Sequence, residues 1–235
     1  MAMLGKAVRM SRLVNPKSNK MMAITVDHSI SRGILEGLIP IQETIDKIVA
    51  GGPNAITMTK GIAELCWPQH AGKVSLLLKC SSYSPVQPTS DVLFGDAEEG
   101  VRMGADGVSV GAMMLGDHQA AQLADIGRLS KQCMSYGMPL IGHMYPKGES
   151  VAKVDQTKWE NITYSVRAGA ELGVDIIKTT YTGDPKTKPS ASAHFSPKDF
   201  MSAFRLPFTA SLPTKTISES MPSSLRLSPM MESVV

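Results

Sequence analysis

Three polar side chains stand where a parallel α/β fold places its chemistry. Asp27 ends the apolar run Met21–Asp27, and Tyr145 follows the run Pro139–Met144 within His143-Met144-Tyr145-Pro146-Lys147-Gly148. Lys178 stands near the end of Val174–Thr179. If those runs are strands, all three residues lie at carboxyl ends, the side on which such folds bind ligands. A lysine after Val-Asp-Ile-Ile is surrounded by apolar wall, which disfavours the ammonium and lowers its pKa. The free amine can then attack a ketone and form a Schiff base. Each residue has a plainer role taken singly. A strand-end lysine reaches for solvent, a strand-end aspartate caps the next helix, and tyrosine before proline is a common loop residue. The weight lies in finding acid, phenol and amine on one rim.

The elements that must position them are legible as alternating runs. Six short segments are nearly continuous in Val, Ile, Leu and Met: Met21–Asp27, Ala55–Thr59, Val74–Lys79, Gly107–Gly111, Pro139–Met144 and Val174–Thr179. Unbroken apolar runs are expected of strands covered on both faces. Helical periodicity marks Ile41–Ala50, Asp96–Met103, His118–Tyr136 and Lys158–Leu172 between them. The pieces Gly104–Asp106 and Gly173–Asp175 carry the glycine that ends a helix in left-handed conformation. Repeated βα units predict a parallel sheet with helices outside it. Both a doubly wound sheet and a barrel fit, although no Gly-x-Gly-x-x-Gly follows the first strand.

Composition narrows the function classes. With 24 basic and 21 acidic residues interspersed, the net charge of +3 offers no basic patch for nucleic acid. No run of 18 apolar residues suggests a membrane span, and Met1 to Arg12 has no secretory pattern. Cys66, Cys80 and Cys133 lack metal-ligand spacing, which predicts a reduced, cytoplasmic protein with buried thiols and no metal.

The end of the chain changes character. Between residues 187 and 235 there are eleven serines, six prolines and no glycine, and the βα period stops. The expected division is a barrel-type domain over 1–186 and an irregular tail over 187–235. A shifted reading frame would explain the change: Met230-Met231-Glu232, read two bases on, becomes Asp-Gly.

The motifs quoted resemble the archaeal-type class I fructose-bisphosphate aldolases. That group is related to the aminodideoxyheptulosonate synthases and the autoinducer-2 phosphate thiolases. The resemblance runs from about residue 6 to 186, through Arg9-Met10-Ser11-Arg12-Leu13-Val14-Asn15-Pro16, Val26-Asp27-His28, Gly33-Ile34-Leu35-Glu36-Gly37-Leu38, Met144-Tyr145-Pro146-Lys147-Gly148 and Ile177-Lys178-Thr179-Thr180-Tyr181-Thr182-Gly183-Asp184. It implies a (β/α)₈ TIM barrel, here incomplete at six βα units. It implies that Lys178 forms the Schiff base, that Tyr145 transfers a proton beside the imine, and that Asp27 orients or protonates the intermediate. His28 and Lys147 would bind substrate, a phosphorylated sugar, with no cofactor and no metal. A cytoplasmic homo-oligomer with no nucleic-acid or membrane partner is expected. The first-choice substrate is fructose 1,6-bisphosphate, with a heptulosonate synthase or thiolase activity as the alternative.

Departures from the family pattern set up a rival. Ser29 replaces the usual glycine after Asp-His, and Lys147 replaces an arginine, losing its bidentate fork. The family's phosphate-binding glycines on the seventh and eighth loops have no counterpart after Asp184. The rival reading is therefore an inactive, truncated or frame-shifted aldolase product.

Overall fold

The computed structural model describes residues 4–181 and a short strand at 208–210. Strands β1 (Ala23–Thr25), β2 (Ala55–Met58), β3 (Ser75–Lys79), β6 (Gly107–Met113), β7 (Leu140–Tyr145) and β8 (Ile176–Thr179) form one parallel sheet in that order. All six fall within the expected apolar runs or overlap them closely. Strand β9 (Phe208–Ala210) adds to the open edge of β8, pairing Ile177 with Phe208 and Thr179 with Ala210. Three residues are too few to carry a period, so composition did not announce this strand. An unpaired edge is a template for any extended segment that reaches it. The curled sheet, with helices outside, is an incomplete TIM barrel. The rest of the 187–235 tail, and the motif residues Thr182, Gly183 and Asp184, lie outside the described residues.

Helices α3 (Ile41–Ala50), α5 (Ala97–Arg102), α6 (Gln119–Tyr136) and α7 (Trp159–Glu171) occupy the periodic segments. Asp96 caps α5, its carboxylate accepting from the Glu99 amide at 2.8 Å. Gly104 and Gly173 have φ of +68° and +83°, the left-handed turns that swing each helix end back into the next strand. Helices α1 (Leu4–Leu13), α2 (His28–Arg32) and α4 (Lys60–Cys66) lie outside the segments that periodicity marks, and α2 and α4 span only 5 and 7 residues. Nor was the antiparallel hairpin of β4 (Ser81–Ser84) and β5 (Gln87–Leu93), whose Ser- and Pro-rich sequence resembles a loop.

Two apolar layers hold the sheet. Helix side chains such as Ile45, Ile126, Leu129, Ile162 and Val166 pack with strand residues Ile56, Leu76, Val108 and Leu140 in the larger core. A smaller core of Leu77, Ile141, Ile176 and Ala55 is sealed by Leu13 of α1. Charge pins α1 beneath the sheet. Lys6 donates to both oxygens of Asp175 at 2.8 and 2.9 Å, and Arg12 donates to Asp106 at 2.9 Å. The aspartates of the two Gly-x-Asp pieces thus anchor this helix at the amino ends of the strands. No helix among the described residues is long and apolar enough to cross a membrane. Cys66, Cys80 and Cys133 are free and buried.

Candidate active site

Register decides which strand-end residues meet. In parallel strands, paired residues point to the same face, and alternate residues repeat that face. His143 of β7 pairs with Lys178 of β8, and Gly111 of β6 pairs with His143. Ile176 and Ile141 lie two residues earlier on the same face, within the small core that Leu13 seals. Lys178 and His143 therefore sit one layer above an apolar plug, on the carboxyl side.

Asp27, His28, Tyr145, Lys147 and Lys178 line one cavity of about 230 Å³, so the fold brings all five sequence-derived residues together. Asp27 precedes α2 without capping it: its side chain makes no cap hydrogen bond. Tyr145 is the last residue of β7, and Lys147 lies with its Nζ 4.7 Å from the Tyr145 ring centroid, a cation–π distance. The His143 and Tyr145 rings meet edge to face at 6.5 Å.

The cavity also holds charges that the motifs did not single out as site residues: Lys79, Asp91 and Arg32. Lys79 ends the apolar run Val74–Lys79 just as Lys178 stands near the end of its own, so the signal that marks one lysine marks the other. Asp91 comes from the β4–β5 hairpin, and no local pattern marks it. Helix α6 ties that hairpin to β6 through Gln122. Its Oε1 accepts from the Met113 and Asp91 amides at 2.8 and 3.4 Å, and its Nε2 donates to the Thr89 carbonyl at 3.1 Å. Ser81 Oγ accepts from the Gly111 amide at 2.7 Å.

Burial and charge set the protonation states. Burial is the main cause that brings the Lys178 ammonium down to a pKa of about 8; Asp27 opposes the fall, while Lys79, Lys147 and Arg32 add to it. Burial, with Arg32 nearby, also lowers Lys147. His143 is held well below the usual imidazole range by burial, then by Lys79, Lys178 and His28, so it is neutral at pH 7. His28 is lowered by burial against the pull of Asp27. Tyr145 is raised, first by burial and then by Asp27, so its phenol keeps its proton. The arrangement offers a nucleophilic amine, a protonated phenol and a carboxylate around one small space, with cations suited to an anionic ligand.

Known proteins resemble this chain over most of its length. The profile of the DeoC/LacD family aldolases matches residues 21–211. That match passes residue 186, where the motif resemblance ended, and takes in β9. A 2-amino-3,7-dideoxy-D-threo-hept-6-ulosonate synthase of Halobacterium salinarum (strain ATCC 700922 / JCM 11081 / NRC-1) is 30% identical over 78% of this chain and 68% of its own. A 2-amino-4,5-dihydroxy-6-oxo-7-(phosphonooxy)heptanoate synthase of Streptomyces griseus is 27% identical over 77% and 66%. The chain thus spans about two thirds of the length of these relatives. Among solved structures, an archaeal fructose 1,6-bisphosphate aldolase aligns with a TM-score of 0.66 at 25% identity, covering 77% of this chain and 73% of that one. Another, with its catalytic lysine bound to a carbinolamine intermediate, aligns with a TM-score of 0.71 over 91% of this chain and 83% of that one, at 22% identity.

Proposed function

This chain belongs to the DeoC/LacD family of aldolases, and from that membership we propose that it makes or breaks a carbon–carbon bond in a phosphorylated ketose through a Schiff base on Lys178. The observation that carries the reading is the Lys178 amine, brought to a pKa of about 8 at the wall of a cavity it shares with Tyr145 and Asp27.

The steps follow from the groups present. The free amine adds to the ketone carbon to give a carbinolamine, and loss of water with uptake of one proton from solvent leaves the protonated imine. The imine then draws in the electron pair of the bond between its α and β carbons. That bond breaks, the β carbon leaves as an aldehyde, and Asp27 takes the proton from its hydroxyl. Tyr145 donates a proton to the enamine carbon, and Asp27 returns its proton to the phenolate. Water hydrolyses the imine and frees Lys178. Neutral His143 adds no further positive charge beside the lysine, and Arg32 and Lys147 supply the charge that a substrate phosphate needs.

Fructose 1,6-bisphosphate is the first-choice substrate. A synthase reaction like those named for the two relatives is the second reading, supported by their sequence identity. Borohydride reduction in the presence of dihydroxyacetone phosphate tests the chemistry. The expected result is a stable mass increase on the Lys178 peptide, lost in Lys178→Met. An adduct on Lys79, or none, overturns the assignment. Fructose 1,6-bisphosphate separates the substrate readings: an aldolase releases two triose phosphates, whereas a synthase retains the imine until an acceptor aldehyde is added.

A further inference from the structure

The cavity contains a carboxylate that the steps above do not use. Asp91, on β5, is 6% exposed and lines the same space as Tyr145 and Lys178. Its Oδ1 is buried with no hydrogen-bond partner among the described residues. An acceptor left so costs free energy unless a ligand supplies the donor. Room has been made for it, because Gly111 stands opposite and a Cβ there would overlap the Asp91 carboxylate. The hairpin that carries it is fastened to β6 through Gln122 and Ser81, so the carboxylate is held in place before substrate arrives.

We propose that Asp91 is a specificity residue for the aldehyde half of the substrate, its carboxylate accepting a hydrogen bond from a hydroxyl on the carbon next to the aldehyde carbonyl. The proposal rests on the aldolase reading above. Position argues for that half. Gly111 pairs with His143 and His143 with Lys178, so the carboxylate that meets Gly111 lies across the His143 strand from the amine. The imine carbon belongs to the ketone half, so an acid two strands from Lys178 faces the half that leaves or arrives. Charge argues for a hydroxyl: a carboxylate repels phosphate, and the cations of the cavity serve that group. Sites built to hydrogen-bond a hydroxyl discriminate strongly against analogues that lack it.

Glycolaldehyde and acetaldehyde differ by that one hydroxyl, and each can be offered as acceptor with dihydroxyacetone phosphate. The wild-type chain should favour glycolaldehyde in kcat/KM by about 10²-fold or more. Asp91→Ala should lower that ratio at least about tenfold, and Gly111→Ala, which displaces the carboxylate without removing it, should lower it too. A wild-type ratio near one overturns the proposal even where a variant fails to fold, and so does a ratio that survives Asp91→Ala. Borohydride trapping of the wild type keeps the two readings apart. No adduct sinks the aldolase reading, whereas an adduct with an unmoved ratio sinks only the role of Asp91.

Discussion

At the scale of the residue, the chemistry turns on how far an amine can be desolvated and still be reached. The Lys178 nucleophile is the neutral form, and burial places its pKa at about 8. Its rate of imine formation with dihydroxyacetone phosphate should therefore rise through about pH 8 and level off above it. Asp27 is the acidic neighbour that holds this pKa up. Replacing it removes a stabiliser of the ammonium, so Asp27→Asn should move the midpoint to lower pH, by about one unit. Borohydride trapping rates measured against pH read this directly, and an upward shift would contradict the arrangement. Tyr145→Phe removes the proton donor without touching the amine. Turnover should fall by about 10²–10⁴-fold while the trapped adduct still forms.

At the scale of the element, the plug beneath the cavity is as consequential as the groups above it. Leu13 is fully buried against Leu77, Ile141 and Ile176, the residues on which the Lys178 layer rests. Leu13→Ala should cost about 2–5 kcal/mol in urea unfolding, the usual penalty for a core cavity. A loss within about 0.5 kcal/mol would mean that α1 does not seal the sheet. Helix α1 is hard to read from sequence because seven of its ten residues are basic or exposed, and its meaning depends on Asp106 and Asp175, more than ninety residues away in the chain. The hairpin β4–β5 was missed for a related reason. Its two strands pair with each other and not with the main sheet, its sequence is that of a loop, and it is fastened by Gln122 of α6 and by its own Ser81 to the Gly111 amide.

At the scale of the whole molecule, the interior reports on its own integrity. Cys80 and Cys133 are buried, and burial pushes both thiols up to a pKa of about 12. Native protein at pH 8 should resist iodoacetamide, reacting about 10³-fold more slowly than in urea. Rapid native labelling would show an interior open to solvent. The sequence by itself determined the βα rhythm, because period and apolar content are local properties, and it marked Asp27, Tyr145 and Lys178 because each follows an apolar run or sits in a motif. His28 and Lys147 followed from the family resemblance those motifs carry. Only the tertiary structure decided that Lys79, His143 and Asp91 share the cavity. Register set His143 beside Lys178, and the missing Cβ of Gly111 admitted Asp91. Those are relations between segments 30 or more residues apart for His143 and Lys178, and 20 apart for Asp91 and Gly111. Side-chain chemistry is written along the chain, but proximity, burial and the resulting protonation states exist only once the strands have paired.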